Sequence, residues 1–349
     1  MRIAEIAPPW IEVPPEGYGG IELVVDLLTT GLHARGHDVT LFAPEGSLSD
    51  ADVVSPLPAA GVSSIGDPWF EAYHVLVAYR EVEQFDLVHD HTFLGPALAA
   101  TLRDGPPVVH TLHGPWEGRA RSYYQLLHDQ IHLVAISAAQ RSANSSVHYA
   151  GTIPNGIDVD SYPMGEGRRE DFLVYIGRSN ADKAPELAVE LAHRANLPLK
   201  LVVKCSEDAE REHWEREVEP RLNGSEEVLA EVSHDEKVDL LQRGRAFVFP
   251  IRWEEPFGLV MVEAMACGMP VLATRRGAAR DLVVDGETGF LRDDLDELVA
   301  MTAAVDDIRP ETCRAHVERH FSAHAMATAY EELFERVRMG GRGDGDAAE

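Results

Sequence analysis

One local unit recurs along this chain and narrows the folds open to it. A short apolar run ends at a polar or glycine-rich stop, and a segment of helical spacing follows. Ala246-Phe247-Val248-Phe249-Pro250, then Glu255-Pro256-Phe257-Gly258, then Leu259 to Gly268 shows the pattern most clearly. Strands alternating with helices predict parallel sheets covered by helices on both faces. In the first half, Ile3–Ala7 reads as a strand, Gly20–Arg35 as a helix closed by Gly36, and Asp38–Ala43 as the next strand. Leu87-Val88-His89, Val108-Val109-His110 and Leu133–Ile136 continue the series. A second series starts at Phe172–Gly177 and runs through Leu199–Val203, Val228–Val232, Phe247–Phe249 and Val271–Ala273. Between them, Ile153–Asp158 and Ser161–Asp171 are rich in Pro, Gly and charge and read as a linker. The length of 349 residues suits two cores better than one. The expected fold class is therefore α/β: two doubly wound, Rossmann-like domains facing a deep cleft.

Charge narrows the function classes. The formal net charge is −28, shared between residues 1–155 (7 Lys and Arg against 18 Asp and Glu) and the rest (24 against 41). Nucleic-acid binding needs a basic stripe that neither half offers. Anionic lipid is disfavoured for the same reason, so no membrane partner is expected and a soluble acceptor or substrate is favoured. No apolar run reaches the length of a membrane span. The start, Met1 to Pro8, reads as a first strand and not as a signal peptide. Cys205, Cys267 and Cys313 are scattered, without a Cys-x-x-Cys pair. That usage fits a reducing cytoplasm and argues against a disulfide or zinc framework.

Four groups of residues carry candidate chemistry. Glu255 and Glu263 stand eight apart, one in a strand-to-helix loop and the other about two turns into the helix. Open α/β sheets bind ligands beside such loops, and paired acids suit a ligand with hydroxyls, a ribose or a hexose. The amides of Phe257, Gly258 and Leu259 start that helix and can meet phosphate or sugar oxygens. The plainer reading is helix capping by Glu255 and a surface Glu263. Next, Gly177-Arg178-Ser179-Asn180-Ala181-Asp182-Lys183 begins at a strand end. Arg178 can hold two oxygens at once and Lys183 adds a point charge, which together suit a diphosphate. A solvated salt bridge to Asp182 would explain the same residues. Third, Gly17-Tyr18-Gly19-Gly20 opens a helix after the first strand. Gly19 and Gly20 let the backbone approach a ligand, and the helix terminus favours an anion; an ordinary turn is the alternative. Glu231, at the end of the Val228–Val232 strand, joins the nucleotide-binding candidates.

The fourth group is rich in histidine. His89-Asp90-His91 and His110-Thr111-Leu112-His113-Gly114 both fall at strand ends of the first domain. His89 and His91 could ligate a metal from one face, but such histidines more often hydrogen-bond locally, and no metal is expected. His113 is the better candidate to touch a substrate hydroxyl. Asp294-Leu295-Asp296 spells an Asp-x-Asp metal pattern, yet it reads as a helix start, where acids suit the dipole.

Taken together, these residues resemble the family 4 retaining glycosyltransferases of the GT-B fold. The likeness is densest from Val248 to Leu291, where Glu255-Pro-Phe-Gly-Leu-Val-Met-Val-Glu263 is similar to the family's Glu-x7-Glu signature. Asp285-Gly-Glu-Thr-Gly-Phe-Leu291 and Ile153-Pro-Asn-Gly-Ile-Asp158 are similar to two further family segments. Gly19, Gly20, His113, Arg178 and Lys183 match family positions. Ala184 departs from a usual glycine, and Ile251-Arg252-Trp253 replaces the usual small polar residues. The length and sequence are also similar to antibiotic-pathway members that act in orthosomycin (avilamycin) assembly.

The resemblance implies an acceptor-binding domain over 1–158 and a sugar-nucleotide domain over 159–320. It further implies a helix over 321–338 crossing back to the first domain; residues 339–349, rich in Gly and charge, read by their composition as a disordered tail. It implies a retaining, metal-independent sugar transfer without a cofactor, from a nucleotide diphosphate sugar such as UDP-linked sugar to a small-molecule or oligosaccharide acceptor. Glu255 and His113 would position the sugar, Arg178 and Lys183 the diphosphate, and Glu263 the ribose. A GT-B-fold sugar-nucleotide epimerase and a non-catalytic nucleotide-sugar binder use the same residues and stay open as alternatives.

Overall fold

The computed structural model describes residues 1–17, 19–61, 64–102, 105–165 and 169–341. It divides into two compact units: Met1–Gly156 with the segment from Ala323 onward, and Ile157–Ser322.

The first unit contains β1 (Arg2–Ile6), β2 (Asp38–Phe42), β3 (Asp52–Val54), β4 (Leu87–Asp90), β5 (Val108–Leu112), β6 (His132–Ala135) and β7 (Tyr149–Thr152). They form one sheet in the order β3-β2-β1-β4-β5-β6-β7, with all pairs parallel. The chain lays strands outward on one side of β1, then returns to lay β4 on the other. The order therefore reverses between β1 and β4, the place where doubly wound sheets bind ligands. Between strands run α1 (Gly20–Ala34), α2 (Pro68–Arg80), α3 (Gly95–Ala99), α4 (Ala120–Leu127) and α5 (Ala138–Ala143). Val24, Leu28 and Leu32 recur every four residues on α1 and are buried, so one stripe of the helix packs on the sheet. The strands β4 and β5 are buried along their whole length, as expected of parallel strands covered on both faces.

The second unit repeats the plan with β8 (Leu173–Arg178), β9 (Leu199–Lys204), β10 (Glu226–Leu229), β11 (Ala246–Phe249), β12 (Val271–Thr274) and β13 (Gly289–Arg292). Their order is β10-β9-β8-β11-β12-β13, so the reversal lies between β8 and β11. The helices are α6 (Pro185–Ala195), α7 (Asp208–His213), α8 (His234–Arg243), α9 (Leu259–Ala266), α10 (Ala279–Leu282), α11 (Leu295–Met301) and α12 (Pro310–His320). Its core gathers Leu173, Tyr175, Leu191, Leu201, Val248 and Leu272. Each such side chain contributes about 1.5–3 kcal/mol by leaving water.

The last helix, α13 (Ala323–Arg338), belongs to the first unit. It buries Met326, Tyr330, Leu333, Phe334 and Val337 there. Glu331 Oε1 lies 2.9 Å from His37 Nε2, and Thr328 Oγ1 accepts from Arg35 of the segment after α1.

Three details differ from the sequence reading. The strand expected at Val228–Val232 lies two to three residues earlier and ends at Leu229. It is an edge strand with Val228 in solvent, so apolar content marks its bounds poorly. The Ile153–Asp158 segment does carry the boundary between the units, at Gly156/Ile157, but it is buried where an exposed linker was read: Ile153, Asn155, Gly156 and Ile157 are buried, and Ile157 pairs with Ser322. Of the expected tail, Met339–Gly341 close α13, with the amides of Gly340 and Gly341 donating to Val337 and Arg336; residues 342–349 lie outside the described residues.

Candidate active site

In the second unit, the chain reversal brings the two main motifs together. Arg178 is the last residue of β8, and Glu255 lies in the loop after neighbouring β11. Lys183 Nζ forms an ion pair with Glu255 Oε2. Trp253 Nε1 donates to the same oxygen at 2.9 Å. Lys183 also sits over two rings, 4.8 Å from the centre of Trp253 and 5.4 Å from Phe249. Trp253, one of the residues that depart from the expected pattern, thus forms one wall of the box around Lys183, and Phe249 forms the other. The other oxygen of Glu255, Oε1, accepts no hydrogen bond from a described residue. It remains available to a hydroxyl.

Backbone shape holds this loop in place. Gly258, the residue before α9, has φ +91°, and a Cβ there would meet Met261 Cε at 2.6 Å. No side chain caps α9, so the capping role considered for Glu255 is not what the structure builds. Open first-turn amides and the positive end of the dipole remain there for an anion. Phe257 is buried edge-on to Phe321, and Leu259 begins the helix half-buried. Gly277, which the sequence reading passed over, has φ +50°. Its absent Cβ would collide with the backbone N and O of Glu255. Ala278 N donates to Glu255 O at 2.8 Å and Gly277 N to Glu254 Oε2 at 2.7 Å. The sequence signal was a lone glycine beside Arg276, with no motif around it.

Arg178 does not pair with Asp182. Its Nη2 lies 2.8 Å from Glu207 Oε1 and its Nε bonds Glu210. Glu207 is largely exposed and Glu210 is buried, so a phosphate can replace Glu207 far more readily than Glu210. Burial would raise the Glu210 carboxyl, but Arg178 and backbone amides outweigh it and bring it below its ordinary value. Ala184 keeps the left-handed backbone, φ +47°, that glycine usually supplies. An L-residue spends about 1–2 kcal/mol there.

Glu263 is neither at the surface nor two turns deep. It is the fifth residue of α9 and is buried. Its Oε1 accepts from Tyr162 Oη at 2.8 Å and its Oε2 from Lys237 Nζ at 3.0 Å. Tyr162 and Lys237 are site residues the sequence reading missed, because they are 75 positions apart and carry no motif. Each carboxylate oxygen keeps a second lone pair, so a ribose can still bind. Glu231 is exposed beyond edge strand β10. The sheet order sets it three strands from β11, about 14 Å at the usual strand spacing, and no hydrogen bond joins it to the Lys183–Glu255 group.

The first unit builds its own polar group at the β1/β4 reversal. Gly19 precedes α1 and Gly20 begins it, again without a side-chain cap; Tyr18 lies outside the described residues. The first turn contains its own acid. Glu22 is buried, and burial pushes its carboxyl up to about 7. In the same unit, Glu5 of β1 collects two imidazoles. His89 Nδ1 stands 2.9 Å and His91 Nε2 2.5 Å from Glu5 Oε1. Burial alone would raise the Glu5 carboxyl, but His89 and His91 outweigh it and hold it at about 2. His91 Nδ1 meets His113 Nε2 at 2.7 Å. Burial and the neighbouring His89 press His91 down to about 4. Burial, then His91, presses His113 well below the ordinary imidazole value.

Glu5, His89 and His91 offer three ligand atoms within 4.8 Å. A tetrahedral zinc ion would hold such ligands roughly 3.3 Å apart. The observed 2.5 and 2.9 Å are shorter than that; His91 Nε2 hydrogen-bonds Glu5 Oε1, whereas His89 Nδ1 and Glu5 Oε2 are buried and make no hydrogen bond among the described residues. Asp294 caps α11, accepting from Glu297 N at 2.8 Å, which is the role expected for it.

Comparison with known proteins agrees with this architecture. Residues 18–161 match the family described as Glycosyltransferase Family 4, and residues 163–308 match Glycosyl transferases group 1. A glycogen synthase of Mycobacterium tuberculosis is 27% identical, over 98% of this chain and 96% of its own length. A phosphatidyl-myo-inositol mannosyltransferase of Mycolicibacterium smegmatis is 29% identical over 86% and 83%. Among solved structures, AviGT4, a glycosyltransferase involved in avilamycin A biosynthesis, superposes with a TM-score of 0.72. It is 25% identical and covers 97% of this chain and 98% of that one. No helix among the described residues is long and apolar enough to cross a membrane. Two parallel-sheet domains in sequence, each matching a glycosyltransferase family over its own residues, make this chain a glycosyltransferase of the GT-B fold.

Proposed function

We propose that the chain transfers a sugar from a nucleotide diphosphate sugar, UDP-linked in the first instance, to a soluble hydroxylated acceptor with retention of configuration. The observation that carries this reading is the Lys183–Glu255 pair boxed by Trp253, beside Arg178 and the uncapped start of α9. Two fixed cations and open amides at one sheet edge suit a diphosphate. A buried carboxylate with one unengaged oxygen suits a sugar hydroxyl. In the step itself, the bond from the anomeric carbon to the phosphate oxygen breaks as the acceptor oxygen bonds to the same face. The acceptor's proton passes to the departing phosphate oxygen. Arg178 and Lys183 stabilise the charge that grows there, so the reaction runs without metal or cofactor. The pairing of Lys183 with Glu255 holds the ammonium in place before substrate arrives, which is where electrostatic catalysis gains most.

The other assignments follow the same chemistry. Glu263, held by Tyr162 and Lys237, accepts the ribose hydroxyls. The first unit binds the acceptor, and His113 meets a sugar hydroxyl. The acidic surface favours an uncharged or cationic acceptor in the cytoplasm, and an antibiotic oligosaccharide fits. Thermal-shift screening with UDP, GDP and dTDP identifies the base, since a bound nucleotide raises stability by mass action. With the donor known, Arg178→Ala and Lys183→Ala each lower kcat by about 10²–10³, with folding checked by thermal melts. Full turnover in both variants overturns the reading.

A further inference from the structure

A file of polar contacts runs through the first unit from buried Tyr330 to half-buried His113, hydrogen-bonded at every step except the 2.9 Å approach of His89 Nδ1 to Glu5. Tyr330 Oη lies 2.7 Å from Thr111 Oγ1, and Thr111 Oγ1 lies 2.8 Å from His89 Nε2. His89 Nδ1 and His91 Nε2 converge on Glu5 Oε1. His91 Nδ1 then meets Nε2 of His113, whose Nδ1 has no partner among the described residues. The members come from β1, β4, β5, the turns after β4 and β5, and α13.

Proton counting leaves little freedom in this file. A carboxylate accepts only, so His91 Nε2, which hydrogen-bonds Glu5, must carry hydrogen. His89 and His91 have ring centres 4.1 Å apart, and His91 and His113 5.1 Å. Adjacent buried imidazoles cannot all be charged. With Nε2 of His91 protonated toward Glu5, its Nδ1 holds a lone pair. That lone pair must be met by an N–H on His113 Nε2. The second nitrogen of a neutral His113 is then bare.

We propose that Glu5 and His91 are positioning residues that set the tautomer of His113, so that His113 Nδ1 accepts a hydrogen bond from a sugar hydroxyl. This rests on the glycosyltransferase reading above. The consequence is selective. A hydroxyl can donate to this nitrogen, whereas a fluorine or a carbonyl oxygen at the same position of the sugar cannot. Thr111 and Tyr330 hold the His89 ring beside the same oxygen of Glu5, so α13 supports the packing around this carboxylate.

Nitrogen-15 NMR of the imidazoles in the full-length protein tests this without substrate. At neutral pH, His113 is expected with hydrogen on Nε2 and none on Nδ1; hydrogen on Nδ1 overturns the proposal. Glu5→Gln is expected to mix the tautomers of His91 and His113 and to lower kcat/KM roughly 10- to 100-fold, the scale of one charge-assisted hydrogen bond. Glu5→Asp, which keeps the charge, is expected to restore the tautomer. A folded Glu5→Gln protein with an unchanged His113 spectrum overturns it; should that variant fail to fold, the parent spectrum still decides. Adding a nucleotide sugar that the enzyme turns over is expected to shift the Nδ1 resonance, while the nucleotide alone leaves it in place. No shift overturns the hydroxyl contact. Inactivity on every nucleotide sugar, with the tautomer as expected, counts against the transferase reading instead.

Discussion

The two sheets reverse their strand order at equivalent places and fill those places with opposite chemistry. At β1/β4, one carboxylate serves two imidazoles, and a third imidazole carries the file outward. At β8/β11, fixed cations are matched to carboxylates: Arg178 to Glu207 and Glu210, Lys183 to Glu255. The first arrangement offers lone pairs and neutral rings, which suit hydroxyls. The second offers permanent positive charge matched by acids, of which exposed Glu207 is the readily replaced one, and this suits phosphate. Topology decides where a doubly wound domain binds. The charge state of the side chains at that point decides what it binds.

The comparison can be broken most forcefully in the second unit. Gly277→Ala would drive a Cβ into the Glu255 backbone at a positive φ. Overpacking of this kind costs about 1–3 kcal/mol, several degrees of Tm, and displaces Glu255 from Lys183. Misplacing a positioned group by about 1 Å can cost 10² in rate. Thermal melts and kcat together test this; unchanged turnover would show that Glu255 need not be held where it is. In the first unit, the sharper probe is pH. Glu22 has a folded value near 7 against an ordinary 4.5. The folded state therefore binds its proton more tightly, and stability falls as pH rises from 4.5 to 7. Glu22→Gln removes that slope. Relative to the parent, the variant should gain up to roughly 3 kcal/mol between pH 4.5 and 8, read from denaturant melts at both pH values. A parallel pair of stability curves would show that burial does not strain this acid. The smallest effect is expected from Trp253→Phe, which keeps a ring over Lys183 and removes the donor to Glu255. A loss of about 1 kcal/mol, fivefold in kcat/KM, is expected for one hydrogen bond, and the same change in Tm alone would place Trp253 outside the reaction.

Much of the fold was legible because it depends on local pattern. Apolar runs closed by glycine or polar residues marked most strands, though not the short β3, β7 and β13, and the fourfold spacing of Val24, Leu28 and Leu32 marked α1. Edge strand β10 was misplaced because its exposed face removes that contrast. Arg178, Lys183, Glu255 and His113 were readable as candidates because each sits at a strand end or in the loop that follows it, where the chain leaves the sheet. Their partners were not. Tyr162 and Lys237 reach Glu263 from 101 and 26 positions away, and Glu5 reaches His91 from 86. The sequence by itself determined two parallel α/β domains and which strand ends carry polar groups, because short-range apolar period and turn chemistry dictate both. Only the tertiary structure decided who neutralises whom. Charge pairing and tautomer depend on distances of a few ångströms between segments far apart in the chain, and those distances exist only once the sheets have formed.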